Sequence, residues 1–504
     1  MPVIARSTIL AGIGALALAA CSSEDYVVIT VDARPAVRNA RALSVSLFNA
    51  GTMRVDNLPV GDHAFPVTFS ISGPGRTGDL AITVDATDAA GLVVGRGSAT
   101  TAIAGRDASI LLDPTDFVVN TEFAGNQFPS DDFEAAGFQL AALPDGTWTA
   151  VFRDACTSDA CNVFGRRFDK NGEPVATAAA AGTSAFALTT DLTMPVSTPA
   201  VASNASTTLV AWDAYSVQGI MNGVACRALD AAGQAITQQR SIAPDDADVV
   251  SLAALANGTF VAVWNAALAT DTEVIRSVTV QPDCSAGAPV TVSNATTGLF
   301  QHRSSVASSG ERVLFTWVVD GDLHARVALT GGGFATADAV LVAKTAAEQI
   351  AHARVAGLAD GSFVLATRSF MSPADPGRIQ LYPVTSAGKL AGPPALVADR
   401  VATDAGGHES FGLAVRPDGT VLVAWHSCKS FDDPRMCDVS GRMLRASGEP
   451  LTDVFAIPTT TQGDQERPSV VALPDGFAAI WSDGSAQPPD IVGTSVRARI
   501  LYPP

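Results

Sequence analysis

One phrase of alternating apolar and polar positions returns along most of the chain: LAALPDGTWTAVF at 140–152, LAALANGTFVAVW at 252–264, VAGLADGSFVLAT at 355–367, LAVRPDGTVLVAW at 413–425 and VVALPDGFAAIW at 470–481. Weaker copies, VASNASTTLVAW at 201–212 and VASSGERVLFTW at 306–317, fill the gaps. The copies end on Phe152, Trp212, Trp264, Trp317, Thr367, Trp425 and Trp481, so one unit takes about 50–60 residues. Alternation of this kind makes a half-buried strand. The Asp-Gly or Asn-Gly inside it (Asp145-Gly146, Asn257-Gly258, Asp360-Gly361, Asp418-Gly419, Asp475-Gly476) reverses the chain into a hairpin, since glycine takes positive φ without steric cost and the preceding Asp or Asn caps the turn.

A third strand and a second turn follow, as in GRRFDKNGEP (165–174), CRALDAAGQA (226–235) and GRMLRASGEP (441–450), and a fourth strand closes the unit, as in DVFAIPT (453–459). Four antiparallel strands in each of seven units predict a seven-bladed β-propeller over 116–504. The last copy stops at its third strand, VRARILYPP (496–504), whereas DFVVNTEF (116–123) reads like a fourth strand placed ahead of the first copy. Residues 116–123 are therefore expected to complete the last blade and remove an open edge. The rival arrangement is seven hairpins in an open sheet or solenoid. The aromatic series at the end of strand two recurs at one structural position, which predicts inter-blade core rather than a sugar-stacking platform.

The phrase resembles the PDG-type repeats of bacterial secreted and surface propellers, such as those of large haemolysin-type exported proteins. The resemblance covers about 116–504 and implies architecture, not activity. No copy carries the sialidase Asp box (S-x-D-x-G-x-T-W), because Asp and Gly are adjacent here, and neither a WD dipeptide pattern nor a quinoprotein docking motif is present.

Residues 26–114 lack the repeat. They read as seven short strands (YVVITVD, ALSVSLFN, MRVDNLP, AFPVTFSIS, DLAITVDA, LVVGRGSAT, ASILLDP) separated by Gly, Asp and Pro clusters, with no helical period. That pattern predicts a small immunoglobulin-like or prealbumin-like β-sandwich, without the Cys…Trp…Cys hallmark, acting as a spacer. The whole chain is thus expected to be all-β.

Ahead of it, Ser7–Ala20 is almost wholly apolar or small, yet too short for a membrane span, which takes about 20 residues. With Arg6 before it, the stretch suits a secretory signal peptide over 1–20. Its end, Leu18-Ala19-Ala20-Cys21, resembles the lipobox of bacterial lipoproteins. The resemblance implies cleavage before Cys21, lipidation of Cys21, a tether over 21–25, membrane attachment through acyl chains, and, with Ser22 next, an outer-membrane lipoprotein facing the periplasm or the exterior.

Composition narrows the partners. The 504 residues carry 50 acidic and 32 basic side chains, a formal charge of −18, which argues against nucleic acid. Of the seven cysteines, six remain beside Cys21. Cys156 and Cys161 bracket one short loop, Cys428 and Cys437 another, and Cys226 and Cys284 are left. Their spacing does not suit zinc knuckles, so disulfides in an oxidising compartment are expected for the two local pairs and, if neighbouring units meet, for 226–284.

Catalytic motifs are not found. There is no G-x-S-x-G; His408-Glu409 begins like H-E-x-x-H, but position 412 is glycine; no EF-hand spacing or phosphate loop occurs. No catalytic residue, metal site or cofactor is assigned. The propeller fold nominates one face instead, where strand four leads to the next strand one and strand two leads to strand three. The first set of loops carries Asp131, Asp132, Glu134, Asp245, Asp246, Asp248, His302, His352, His408, Glu409, Asp464 and Glu466; the second carries Asp154, Asp213, Asn265, Asp320, His426 and Asp483. Such a rim suits a cation, a basic peptide or a hydroxyl-rich sugar, although acidic loops are ordinary in so acidic a chain. Unequal loops on a repeated scaffold point to a non-enzymatic, lipid-anchored surface protein that binds an extracellular protein or polysaccharide. The alternative is a polysaccharide-directed hydrolase or lyase using carboxylates near the channel.

Overall fold

The computed structural model describes residues 26–61, 64–103, 107–121, 138–154, 162–177, 182, 184–189, 199–215, 221–243, 247–269, 272–294, 296–297, 301–346, 348–370, 377–401, 411–428, 437–488 and 493–504. Cys21, with the signal and tether, and Cys156 and Cys161 lie outside them. The described regular structure is strand only, and no helix among it is long and apolar enough to cross a membrane. The chain divides into two compact units, Met1–Asp116 and Phe117–Pro504.

The first unit has seven strands: β1 (Tyr26–Ala33), β2 (Ala42–Asn49), β3 (Thr52–Pro59), β4 (Val67–Ser72), β5 (Asp79–Thr87), β6 (Val93–Ala102) and β7 (Asp107–Pro114). They form one hydrogen-bonded path, β3-β2-β5-β6-β7-β1-β4, in which only β1 and β7 are parallel. The sequence reading expected the two separate sheets of a sandwich; the structure has a single sheet that curls like half a barrel about one core, which includes Ile29, Val31, Leu43, Val45, Val84 and Leu112. Two glycines account for the difference. β6 crosses onto β7 at Gly95–Pro114 and Arg96–Asp113. A Cβ on Gly97 would stand 2.4 Å from the carbonyl oxygen of Leu111, and one on Gly95 2.6 Å from Val37. Without side chains there, β6 bends close enough to carry the ladder across.

The second unit is a seven-bladed β-propeller. Blades 1 to 6 are successive four-stranded antiparallel sheets whose first strands begin at Phe138, Ala200, Ala247, Gln301, Gln349 and Phe411; blade 3 has a further two-residue strand. Blade 7 takes Gln465–Ala472, Phe477–Asp483 and Ser495–Leu501, and its fourth strand is Phe117–Val118, paired through Val118–Arg497 and Phe117–Ala498. The seven first strands neighbour one another in an unbroken cycle, blade 7 back to blade 1 included. Lys170 of blade 1 meets Asp475 of blade 7 at 2.9 Å across that junction. Four of the turns into strand two are self-capped as expected: the side chains of Asp145, Asn257, Asp360 and Asp418 accept the N–H two residues on, and the glycine between has φ from 80° to 90°. The Asp475-Gly476 turn of blade 7 departs, since Gly476 does not take positive φ and Asp475 accepts from Lys170 instead.

Apolar packing runs from blade to blade. Trp212 sits with Val151 and Val163 of blade 1, Trp264 with Leu209 and Val224 of blade 2, Trp317 with Val263 and Ile275 of blade 3, Trp425 with Val364 and Ile379 of blade 5, and Trp481 with Leu422 and Val439 of blade 6. The tryptophans therefore fill the seams between blades.

A recurring guanidinium ties the same seams further out. In strand three, Arg166 of blade 1 donates to the Val119 carbonyl. Arg227 of blade 2 donates to Ala187 and Leu188, Arg326 of blade 4 to Val292, Arg442 of blade 6 to Leu396 and Val397, and Arg499 of blade 7 to Ile457, at 2.7–3.2 Å. Every acceptor lies in or beside the outermost strand of the preceding blade. Several of those strands are only two residues long, and a carbonyl outside the ladder needs a donor; a charged one serves best. Burial lowers the pKa of the Arg227 guanidinium from its ordinary value. Val278 of blade 3 and Tyr382 of blade 5 occupy the arginine position, two residues before the strand-end bridge. At the blade 2–3 seam the tie is covalent instead: Cys226 in strand three of blade 2 is bonded to Cys284 in the second turn of blade 3. Cys428 and Cys437 form the other described disulfide, directly opposite each other across strands two and three of blade 6.

Candidate functional site

Antiparallel pairing decides which side chains share an end of the ring. In blade 7 Gln465, at the start of strand one, lies opposite Asp483, at the end of strand two, which lies opposite Ser495, at the start of strand three. The equivalent row recurs in each blade, and the segments that join strand two to three, and strand four to the next strand one, all leave from this end. The other end carries the short self-capped turns. One face thus carries the turns between strands one and two and the reversals after strand three. The opposite face carries the two-to-three connections, which run from two residues (Asp320-Gly321) to eleven (484–494), and the four-to-one connections.

Blade 7 builds the densest polar group there. The Asp483 carboxylate, fully buried, accepts from Arg497 Nε at 2.6 Å, from Ser485 Oγ at 2.6 Å and from Ser495 Oγ at 3.3 Å, and also from the Gln465 side-chain amide. Gln465 in turn accepts the Trp481 indole N–H at 2.6 Å. Arg497 donates onward to the carbonyls of Gln487 and Pro488 at 3.1 and 3.3 Å. A buried charge is tolerated only when paired and hydrogen-bonded, as here. Asp483 is consumed by this network and holds the wall of the blade.

The adjoining rim of blades 6 and 7 is similar. The fully buried His426 accepts the Arg467 N–H at Nδ1, 3.4 Å away, and Asp464 accepts the Cys437 N–H at 3.2 Å. Glu466 comes close to both Cys428 and Cys437, with ligand atoms within 4.8 Å of one another. Both sulfurs are taken by their disulfide, so the trio does not present a thiolate to a metal ion.

The other nominated residues do not converge with these. Asp213 is buried in strand two of blade 2, opposite Val224. His352, buried in strand one of blade 5, meets the Phe411 ring edge-on at 5.5 Å between centroids. Asp320 is exposed in the turn of blade 4, where Lys344 Nζ reaches it at 2.5 Å and is raised in pKa by that hydrogen bond. Asp154 ends strand two of blade 1, and His302 lies in strand one of blade 4. Asp131, Asp132, Asp245, Asp246, His408 and Glu409 lie outside the described residues.

Arginines at this end escaped the sequence reading. Arg303 and Arg467 occupy the same place in blades 4 and 7, with φ of 59° and 56°, each within the stretch where the strand-one register shifts. The signal was present as a repeated Gln-x-Arg-x-Ser-Val, at 301–306 and 465–470. Arg303 donates to the Ala351 carbonyl of blade 5. Arg153 and Arg368 are buried near the ends of their strands two, and Arg354, on strand one of blade 5, is drawn down to about 10 by desolvation. The rim expected to be acidic carries cations as well, and one of them, Arg497, supplies the counter-charge that the enclosed Asp483 needs.

No family model matches the chain, and no curated protein matches it. Among solved structures it is similar to a protein of unknown function from Dyadobacter fermentans, with TM-score 0.45 and 12% identity over 78% of this chain and 99% of that one. It is also similar to an α-L-arabinofuranosidase from Fusarium graminearum, with TM-score 0.42 and 10% identity over 75% and 98%. A third likeness is to the Trypanosoma rangeli sialidase, with TM-score 0.38 and 10% identity over 78% of this chain and 56% of that one. These likenesses are remote and carry nothing about chemistry to this ring.

Proposed function

We propose that the chain is a cell-envelope lipoprotein, anchored through acyl chains on Cys21, whose propeller binds an extracellular protein or polysaccharide with its loop-bearing face. The observation that supports this reading is the asymmetry of the ring. One face carries the turns between strands one and two, four of them capped alike. The other carries the two-to-three and four-to-one connections, unequal in length, above walls that in blade 7 are fixed by buried hydrogen bonds. Rigid walls carrying variable loops are a recognition surface, since binding loses least when the scaffold needs no ordering. The nominated groups at the blade 6–7 rim fit that role. Asp483, Asp464 and His426 spend their hydrogen bonds on the protein itself, whereas an acid–base pair needs carboxylates free to trade protons with a substrate. In this reading the curled N-terminal unit spaces the propeller from the membrane.

The test uses the Cys21→Ser chain, secreted without acyl chains, on a glycan array and in pull-downs from envelope extracts. Saturable binding that is lost when the 429–436 loop is replaced by a short Gly-Ser linker supports the proposal. Release of reducing ends from a bound polysaccharide would favour the hydrolase alternative instead.

A further inference from the structure

The curled N-terminal unit exposes three large apolar side chains on one hairpin. Phe48, at the end of β2, lies opposite Met53, at the start of β3, and Val55 follows on the same strand face. They are 52%, 65% and 50% exposed. Their neighbours Leu47 and Asn49 turn inward and are buried, so these three stand on the outer face around the Ala50-Gly51 tip. Arg54, on the other face of β3, is held by Asp56 at 2.7 Å.

The hairpin tip lies at the end of the sheet where the chain enters. β1 runs parallel to β7, and β7 antiparallel to β6, β6 to β5 and β5 to β2, so the start of β1 and the end of β2 fall on the same side. Hydrogen bonds bear this out. Asn49 Nδ2 donates to the carbonyls of Thr77 and Asp79 at 3.1 and 2.9 Å, and Arg76 Nη1 reaches Asn49 Oδ1 at 3.4 Å. That segment follows directly from Ser72, which pairs with Tyr26. Tyr26 is itself 40% exposed.

We infer that this end rests on the lipid bilayer, with Phe48 and Met53 set into the interfacial layer and Tyr26 and the exposed Arg76 at headgroup level. The inference rests on the proposed acylation of Cys21. Tyr26 stands five positions after Cys21, and five fully extended steps span at most about 18 Å. An acylated Cys21 therefore keeps the Phe48–Met53 tip beside the membrane surface. At that depth apolar side chains leave water for the acyl boundary, a tyrosine favours the interface, and an arginine favours lipid phosphate. The acyl chains hold the protein; the hairpin fixes its tilt.

The experiment places the full acylated chain in vesicles of phosphatidylethanolamine and phosphatidylglycerol containing a lipid with a photoactivatable diazirine in its acyl chain. The Cys21→Ser chain free in solution is the comparison. Mass spectrometry reads lipid on Cys21, photo-adducts on the peptide containing 48–55, and the rate of Met53 sulfoxide formation under dilute peroxide. Adducts at 48–55 and Met53 oxidation slowed about threefold or more on vesicles, against an unchanged slow rate at the buried Met443, are the expected results. The Phe48→Ser, Met53→Ser double variant should stay on the vesicles and lose the adducts. An acylated, vesicle-retained chain with no adducts and unslowed Met53 oxidation overturns the inference while leaving the anchor intact. Protection of Met53 in the soluble Cys21→Ser chain also overturns it, since the hairpin is then covered by another copy. Absence of lipid on Cys21 overturns the anchor, and this inference with it.

Discussion

Replacing both Cys226 and Cys284 by alanine should weaken the propeller more than removing the other described disulfide. The pair is buried, at 0% and 1% exposure, and closes a sequence separation of 58 residues. The chain-entropy relation gives about 4 kcal/mol for a loop of that size and about 2.6 kcal/mol for the nine-residue separation of Cys428 and Cys437. Unfolding entropy near 2.1 cal/mol/K per residue makes the first loss a fall in Tm of roughly 5 °C for the ring. A local reason adds to the entropic one: Val278 stands where five other blades place a clasping arginine, so without the disulfide the seam between blades 2 and 3 keeps its apolar contacts but loses its outer tie. Both double alanine variants would be melted by circular dichroism in oxidising buffer, beside wild type with and without reductant. Under reductant wild type should lose at least the sum of the two effects, with the expected Cys156–Cys161 bond adding to it. A Cys226→Ala, Cys284→Ala loss no larger than that of Cys428→Ala, Cys437→Ala would refute the assignment of this disulfide as the tie of its seam.

Four further outcomes are expected. Arg442→Met, which removes guanidinium bonds to the carbonyls of Leu396, Val397 and Thr452, should cost about 2–3 kcal/mol in urea unfolding, as charged hydrogen bonds do. Breaking the enclosed pair by Arg497→Met should cost about 3–5 kcal/mol, and adding Asp483→Asn to it should restore part of that, because the loss comes from a stranded buried carboxylate. The Asp338 carboxyl is burdened by burial but held below its ordinary value by the hydrogen bond it shares with His324, by the Asn294 N–H and by the nearby charges of His324 and Arg326. Its stabilisation is present above about pH 4 and lost as pH falls through the lower folded value, so Asp338→Asn should flatten the acid limb of a urea-midpoint profile. Cys21→Ser should release the protein from membranes in soluble form, read by fractionation; continued retention would contradict the lipoprotein reading.

Much of the ring is legible in the sequence because each blade repeats the same local physics. Alternation makes the strand, Asp-Gly makes the reversal, and an aromatic at a fixed place fills the seam, so counting the phrase gives seven blades. What joins unlike strands is harder to read. The sheet path of the N-terminal unit depends on what Gly95 and Gly97 do not touch, and Val37 and Leu111 lie far from them in sequence. Seven alternating strands are equally compatible with two sheets or one curled sheet. Nor could composition show that the rim mixes charges, because the acids were counted as loop residues whereas Asp213 and Asp483 lie at strand ends, enclosed between blades.

The arginine clasp marks where that boundary runs. Arg166, Arg227 and Arg442 all stand in the stretches that define strand three, two residues before an apolar strand end, yet periodicity alone gives no reason for a cation there. In four of the five clasps the reason is a property of the neighbour: the preceding blade ends in a two-residue strand that leaves carbonyls outside the ladder, and the next blade supplies the donor. Arg442, by contrast, reaches into the seven-residue Ala395–Val401. A repeat whose outermost strand is brief therefore requires a polar residue at that position of strand three or some other tie. The two blades lacking the arginine test the rule within the one molecule. Blade 3 has the Cys226–Cys284 bond at its seam. Blade 5 follows a four-residue fourth strand, Ala339–Val342, as blade 3 follows Arg240–Ala243, and packs Tyr382 into the apolar core it shares with blade 4.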